Sequence, residues 1–352
     1  MASPRPSEWP DADRQMWDRL GSRASLLDDG GELAHLSPTT IGMLQHSYRQ
    51  WIQWLANTEP DALLEPPEER ASLERLHRWY GATAALRPMS RLVYIGGVLR
   101  VLRAARPQAD WSGHVRVLSH LKRQAGSGDR SRKFGRVLDS RDLFDVGVQY
   151  ATSPFKTRPT LLKTRPTLRE EAHRFQTGTM IAMLAMIPLR SRTFRTLGLG
   201  SSVLVGEHTI ELCIPGEMMK SGLPWEATVP DALLPLLKRY IGDVRPWFMK
   251  RKAKSHDFLW VTDQGDPFKN GYIGVRIALA VMEVTGTRVS PHLFRDSAAT
   301  TAVRHSPESA RLIRPLLAHS GFETAEKHYI HAWTVEAGRD YASLIRNIRK
   351  RQ

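Results

Sequence analysis

Five residues, in a fixed order along the chain, could together break a phosphodiester bond. Arg190 ends an apolar run, His292 and Arg295 form a His-x-x-Arg group, and His319 precedes Tyr329 by ten residues. Tyrosine supplies a nucleophile, and arginine offers a planar fork of donors that matches the oxygens of a phosphate. The pattern therefore predicts phosphodiester cleavage without a metal ion, with the tyrosine as the attacking group.

The charged groups around the nucleophile have separate predicted roles. A phosphodiester gathers further negative charge on its non-bridging oxygens in the transition state, and Arg190 and Arg295 could neutralise that charge. Either His292 or His319 could hydrogen-bond a phosphate oxygen or help move the proton of the nucleophile, since a free tyrosine has a pKa near ~10. Lys220, in a predicted turn, could protonate the leaving 5′ oxygen as a general acid.

Each residue also has an ordinary structural explanation when it is taken alone. An arginine at the end of an apolar helix is usually a surface cation, and a histidine before Ser-Gly can simply terminate a helix. A lysine followed by Ser221-Gly222 is common in turns, and a tyrosine such as Tyr329 is often half-buried core. The ordered combination favours catalysis, because the whole set is much less expected by chance than any one member.

We predict neither a metal site nor a bound cofactor. His319, His328 and His331 suggest metal ligation, but neither a cysteine nor an obvious carboxylate completes a ligand set beside them. The chain also has no Gly-x-x-x-x-Gly-Lys loop, so nothing in the sequence indicates a nucleotide cofactor.

Composition favours a nucleic-acid partner. The 352 residues carry a formal net charge of +15 and a pI of about 10.2, and a domain pI above ~9 is typical of nucleic-acid binders. Cys213 is the single cysteine, the N-terminus lacks the apolar stretch of a signal peptide, and the longest apolar run, residues 180–189, is shorter than the ~20 residues that span a bilayer. We therefore expect a cytoplasmic protein that does not bind membranes.

The pattern of apolar residues predicts a mainly α fold with a small antiparallel β-sheet (α+β). Residues 1–36 are polar and weakly patterned, which indicates an N-terminal arm, whereas residues 37–125 contain four amphipathic helices that could form a bundle. The catalytic region begins near residue 134, with helices at 141–150 and 168–189. Three strand candidates follow at Ser202–Val205, Thr209–Ile214 and Trp225–Val229.

Residues 126–133 predict a flexible, basic linker. The segment is rich in glycine and serine and contains Arg130, Arg132 and Lys133, which could track a phosphate backbone or simply be solvated. A second basic segment, at residues 153–167, repeats Lys-Thr-Arg-Pro-Thr-Leu and is expected to form a proline-interrupted loop.

Three motifs in order resemble the tyrosine recombinase (phage integrase) family, over roughly residues 134–340. Residues 188–190 resemble the first-arginine motif of that family, and residues 291–300 resemble its His-x-x-Arg box closely. Residues 316–331 resemble the segment that holds the second histidine and the nucleophile. The helical stretch at 38–125 resembles the core-binding domain that forms the other half of a DNA clamp.

This resemblance implies a site-specific DNA recombinase that integrates or excises a mobile element. Tyr329 would form a 3′-phosphotyrosyl bond with the scissile phosphate and release a 5′ hydroxyl, without ATP or metal. Four protomers would act on two double-stranded DNA attachment sites through a Holliday junction. Residues 335–352 would pack onto a neighbouring protomer, so that the catalytic domain, 134–352, includes an oligomerisation segment. Accessory DNA-bending proteins or a second recombinase would be compatible with this scheme.

Some positions depart from the family pattern, and two other functions stay open. Thr193 stands where the family often has an acidic residue, Ala318 replaces a common glycine, and Met219 precedes Lys220 where threonine is frequent. A type IB topoisomerase would share the chemistry but reseal the same strand with little sequence preference. A decayed recombinase scaffold could bind DNA without cutting it, although retention of all six candidate catalytic residues argues against that reading.

Overall fold

The computed structural model describes residues 6–23, 30–126, 133, 135–153, 167–250, 255–269, 271–305 and 313–317. The chain divides into two compact units, residues 1–130 and 131–352. The described residues are mainly helical, with a small antiparallel sheet in the second unit. The fold class predicted from the sequence is therefore confirmed.

Five α-helices lie among the described residues of the first unit. They are α1 Asp11–Gly21, α2 Pro38–Thr58, α3 Leu73–Ala82, α4 Pro88–Ala105 and α5 Ser112–Ala125. The predicted start of α2 is present, because the Ser37 side chain accepts a hydrogen bond from the Thr40 backbone and Pro38 begins the first turn. A 3-10 turn, Pro60–Leu64, then leads toward α3.

Aromatic and aliphatic side chains of α2, α3 and α4 form the core of the first unit. Tyr48, Trp51 and Leu55 lie on one face of α2 and are fully buried, as the helical spacing predicts. Ile95 and Leu99 of α4 are equally buried against them. The spacing of apolar residues alone is therefore sufficient to identify this face of the bundle.

The predicted N-terminal arm contains a folded helix, α1, one face of which packs into the core of the first unit. Trp9 and Met16 are buried, and Asp13 of α1 is completely buried in an ion pair with Arg70 at 2.8 Å. The Tyr48 hydroxyl donates a further hydrogen bond to Asp13 at 2.6 Å. A carboxylate on the inner face of α1 interrupts its apolar pattern, and its partner is 57 residues away, so the sequence obscures this helix.

The second unit contains eight helices and three strands among its described residues. The helices are α6 Ser140–Thr152, α7 Leu168–Met186, α8 Ser191–Arg195, α9 Leu234–Arg239, α10 Arg245–Met249, α11 Tyr272–Thr285, α12 Pro291–His305 and α13 Ile313–Leu316. A π-helical turn, Tyr240–Val244, joins α9 to α10. The repeated basic segment falls almost entirely at residues 154–166, outside the described residues.

The three predicted strands form one antiparallel sheet in the order β1-β2-β3. Its strands are β1 Val203–Val205, β2 Ile210–Ile214 and β3 Trp225–Thr228. Leu212 of β2 lies opposite Val203 of β1 and Ala227 of β3. Alternate residues of β2 are buried, so one face of the sheet packs on the core of the unit.

Helices α6 and α7 are in backbone contact through two glycines. A Cβ atom added at Gly147 would lie 2.4 Å from the backbone nitrogen of Ala182, and one added at Gly178 would lie 2.4 Å from the carbonyl oxygen of Gly147. Neither position has room for a larger residue unless a helix moves. This contact fixes α7, which ends two residues before Pro188.

Within the described ranges, no helix is both long enough and apolar enough to cross a membrane.

Candidate active site

Arg190 is placed by the segment that connects α7 to α8. It precedes the first residue of α8 in extended conformation, and its carbonyl accepts a hydrogen bond from the Phe194 backbone at 2.9 Å. Its Nη1 atom is buried and has no hydrogen-bond partner in the described part of the chain. Burial lowers the pKa of this guanidinium. A buried, unsatisfied cationic donor is costly, and an anion would satisfy it.

Arg295 projects from α12 and is only 6% exposed. Its Nη1 donates to the carbonyl of Pro188 at 2.7 Å, and its Nη2 donates to the carbonyl of Leu317 at 2.5 Å. Burial and the nearby charge of Arg190 lower the pKa of Arg295 to about 10, and Asp296 partly opposes that shift. The two predicted arginines therefore lie within electrostatic reach of each other, although 105 positions separate them in the sequence.

His292 lies one helical turn before Arg295 on α12. Part of the side chain reaches the surface, yet the surrounding protein atoms desolvate the ring enough to lower its pKa. Asp296 acts in the opposite direction, while the positive charges of Lys133, Arg295 and Arg190 lower the pKa further. The ring is therefore neutral near pH 7 and can act as either a hydrogen-bond donor or an acceptor.

Lys133 joins the same group of charges. Its ammonium contacts both carboxylate oxygens of Asp296, at 2.9 Å and 2.8 Å. The sequence predicts Lys133 as a linker contact to DNA, whereas the role of Asp296 is not predicted from the sequence. The sequence feature that could have identified Asp296 is its carboxylate, which directly follows Arg295 in a motif of otherwise neutral or cationic residues.

Lys220 lies apart from these contacts, exposed in the turn between β2 and β3. In the described ranges it makes neither a hydrogen bond nor an ion pair. Thr193, which replaces the acidic residue frequent in the family pattern, is buried and donates through Oγ1 to the carbonyl of Met218 at 2.8 Å. This bond ties α8, which follows Arg190, to the chain two residues before Lys220.

The structure thus brings together Lys133, Arg190, His292 and Arg295. His319 and Tyr329 lie outside the described residues, as do Arg130 and Arg132 of the linker. Counting Asp296, and with His292 neutral, the gathered side chains carry a net charge of +2. Such a site can bind a tetrahedral anion and stabilise additional negative charge on it. In the described part of the chain, no group of three His, Cys, Asp or Glu side chains could hold a metal ion.

A second cationic feature is a groove between α4 and α5 of the first unit. The groove has a volume of about 660 Å³, and its lining includes the exposed cations Arg100, Arg103 and Lys122 beside Trp111 and Leu118. None of these three cations has a carboxylate partner in the described residues. By contrast, Arg75 and Arg78 of α3 are paired with glutamates.

Charge is unevenly distributed along the first unit. Residues 87–125, which contain α4 and α5, have eight Lys or Arg residues and a single carboxylate, Asp110. Residues 37–86, which contain α2 and α3, have four Lys or Arg residues and six carboxylates. Of the two halves of residues 37–125, the one that carries the α4–α5 groove is therefore better suited to a polyanion. A calculation of net charge in a sliding window along the sequence would have identified this basic stretch.

Comparison with known proteins gives the class of this site. The model of the Phage integrase family matches residues 160–335, which is half of the chain. The chain therefore belongs to the phage integrase family of tyrosine site-specific recombinases, enzymes that break and rejoin DNA strands. No curated protein sequence matches the chain.

Solved structures of recombinases share the fold. The XerH site-specific recombinase, bound to its difH substrate in a pre-cleavage complex, has a TM-score of 0.55 and 14% identity over 96% of this chain and 91% of its own. The Tn1549 transposon integrase, in complex with transposon right end DNA, has a TM-score of 0.51 and 12% identity over 88% of this chain and 96% of its own. At these identities the likeness shows a common architecture.

Proposed function

We propose that this protein cleaves and rejoins double-stranded DNA at specific attachment sites through a 3′-phosphotyrosyl intermediate, for the integration or excision of a mobile element. The observation that carries the proposal is the buried Nη1 of Arg190, which has no hydrogen-bond partner in the described residues and lies within electrostatic reach of Arg295. Two guanidiniums that repel each other in a partly dry site indicate an anionic ligand. A phosphodiester is the anion that this family of enzymes acts on.

In the proposed cleavage step, the hydroxyl oxygen of Tyr329 attacks the scissile phosphorus. A bond forms between the tyrosine oxygen and phosphorus, and the bond between phosphorus and the 5′ oxygen breaks. The electron pair of that bond goes to the 5′ oxygen, which takes a proton from Lys220. The proton of the tyrosine goes to a base, for which His292 and His319 are the candidates.

The same residues serve rejoining, because the step is reversible. A 5′ hydroxyl attacks the phosphotyrosyl phosphorus and releases the tyrosine, so the covalent intermediate conserves the energy of the broken bond. Arg190, Arg295 and the two histidines would cradle the phosphate in both directions. Each preorganised donor of this kind contributes roughly 10²–10³ in rate.

We propose that the first unit holds the DNA duplex and so contributes a core-binding domain at residues 37–125. The α4–α5 groove, with Arg100, Arg103 and Lys122, supports this assignment, since unpaired cations along a groove suit a phosphate backbone. Arg130 and Arg132 of the linker would add contacts of the same type. The related XerH and Tn1549 proteins were each solved in complex with DNA.

We further propose that four protomers assemble on two attachment sites in the cytoplasm, with residues 335–352 packing on a neighbour. Accessory DNA-bending proteins or a second recombinase would be compatible with this assembly. Mass measurement of the protein on DNA with one or two sites tests the assembly. A complex that never exceeds one protomer per site-sized duplex would contradict it.

Covalent trapping in cells tests the central proposal. The wild-type protein, Tyr329→Phe and a matched control, Tyr272→Phe, are expressed, denatured and stripped of non-covalently bound DNA; Tyr272 is an exposed tyrosine of the same unit. We expect DNA on the wild type and on Tyr272→Phe, but not on Tyr329→Phe, and we expect the attached ends to map to one or two sites. Sequences that flank a mobile element at those sites would support integration or excision.

Two other outcomes would replace the proposal. Adducts scattered over the genome would favour the type IB topoisomerase reading, in which one strand is nicked and resealed. Equal, negligible DNA on all three proteins, combined with salt-sensitive DNA binding, would favour a scaffold that binds without cutting.

A further inference from the structure

We propose that Lys133 is a phosphate-contacting residue of the strand-cleavage step, and that Asp296 is the positioning residue that holds its ammonium beside Arg190 and Arg295. This inference rests on the proposed function, because it assigns a further cation to the same phosphate site. It gives the last residue of the predicted linker a role in chemistry as well as in binding.

The geometry of the ion pair is the first argument. The Lys133 ammonium is nearly equidistant from the two oxygens of Asp296, at 2.9 Å and 2.8 Å. The carboxylate side chain is 7% exposed, whereas the lysine side chain is 41% exposed. A buried carboxylate thus holds a lysine that still faces solvent, where a ligand can reach it.

The location of the pair is the second argument. Asp296 directly follows Arg295 on α12, one helical turn after His292. Lys133 lowers the pKa of His292 in company with Arg295 and Arg190, so its charge acts on the same ring as theirs. All three cations are therefore close to the position that the phosphate would occupy.

The third argument is that the chain after Lys133 is held in place by two further hydrogen bonds within the second unit. The Arg136 side chain donates to the carbonyl of Arg288 at 2.9 Å, and the Ser140 backbone donates to Oγ1 of Thr301 at 2.9 Å. Thr301 lies on α12, the helix that carries Asp296. Lys133, Arg136 and Ser140 are thus each anchored, which limits how far the lysine can swing.

Charge balance explains why the pair suits the reaction. Arg190, Arg295, Lys133 and Asp296 together carry +2, while a phosphodiester carries one negative charge and gains more as the tyrosine attacks. Without the lysine the net charge would fall to +1. Without the carboxylate it would rise to +3, and three cations would repel one another before DNA arrives.

The test is single-turnover cleavage of a duplex that carries the mapped site and a nick that prevents religation, with DNA affinity measured on the same duplex. Lys133→Met is expected to lower the cleavage rate at saturating DNA by roughly 10–100-fold, with the Kd changed less than about threefold. Lys133→Arg is expected to recover most of the rate, since it keeps the charge. Asp296→Asn is expected to lower the rate similarly, and the double variant Lys133→Met/Asp296→Asn should be no slower than the slower single variant.

Lys238→Met is the matched control, because Lys238 is a partly exposed lysine of the same unit and donates to the Glu207 carbonyl. It is expected to cleave at the wild-type rate. The proposal is overturned if Lys133→Met cleaves at the wild-type rate when DNA is saturating, including the case in which only Kd and its salt dependence change. Failure of the wild-type protein to form any Tyr329 adduct would instead refute the proposed function, so the two failures are distinguishable.

Discussion

Replacing Arg190 with glutamine is expected to stabilise the second unit while almost abolishing cleavage. The guanidinium has a buried nitrogen without a hydrogen-bond partner in the described residues, and burial lowers its pKa. Its charge also lowers the pKa of Arg295. In the DNA-free protein Arg190 therefore destabilises the fold, and its role in binding phosphate explains why an arginine occupies this position.

The size of that cost can be estimated from Arg295. A pKa of about 10, against an ordinary guanidinium value above ~12, corresponds to roughly 3 kcal/mol against the charged form. Burial is the largest cause of the lowered pKa of Arg295, and the charge of Arg190 is the second. Removing Arg190 should therefore recover less than half of this free energy, or about 1 kcal/mol. For a unit of this size that gain raises Tm by about 2–4 °C. Loss of one preorganised donor should lower the cleavage rate by roughly 10²–10³.

Scanning calorimetry of the full chain and single-turnover cleavage measure the two effects side by side. Arg192→Gln is the matched control, because Arg192 lies two residues away on α8 and is exposed. It should change neither Tm nor rate appreciably. If Arg190→Gln lowers the Tm of the second unit, the guanidinium contributes to the fold, and the argument for an anion site at Arg190 fails.

Three further results are expected. Asp13→Asn should destabilise the first unit by about 3–5 kcal/mol in urea unfolding, because it leaves the guanidinium of Arg70 buried without its counter-ion, and a loss below about 1 kcal/mol would contradict this. The pKa of His292 is lowered in the folded state, so the unfolded chain binds that proton at higher pH. The contribution of His292 to stability should therefore be lost as pH falls below about 6.5. An NMR titration of the ring that gives a pKa above 6.5 would refute the lowered pKa. Combining Arg100→Gln with Arg103→Gln should reduce the slope of log K against log salt by roughly 2 in DNA-binding anisotropy, and an unchanged slope would remove the groove from the interface.

Local patterns account for most of the fold that the sequence could predict. The three strands are identified by short β-prone runs between turns, and α2 begins where Ser37-Pro38 predicts. Helix α1 was missed because Asp13 occupies its inner face. A carboxylate can be assigned to a buried position only when its cationic partner is known. The partner of Asp13 is Arg70, which is distant in the sequence.

The residues of the candidate site could be predicted from the sequence, but the contacts between them could not. The order of Arg190, His292 and Arg295 suggested their common role, yet their mutual distances depend on how α7, α8 and α12 pack. The pairing of Lys133 with Asp296 spans 163 positions and has no local signature. The placement of His319 and Tyr329 stays a prediction, since both lie outside the described residues.

The backbone contact between Gly147 and Gly178 sets a limit on how this enzyme can be altered. No layer of side chains separates α6 from α7 there, so even one added methyl group must be accommodated by displacing a helix. The chain runs from the end of α7 into Pro188, whose carbonyl accepts a hydrogen bond from Arg295. A displacement of α7 would therefore reach the phosphate site as misalignment of its central arginine. Libraries intended to retarget the recombinase should keep both glycines fixed, although both are buried between helices.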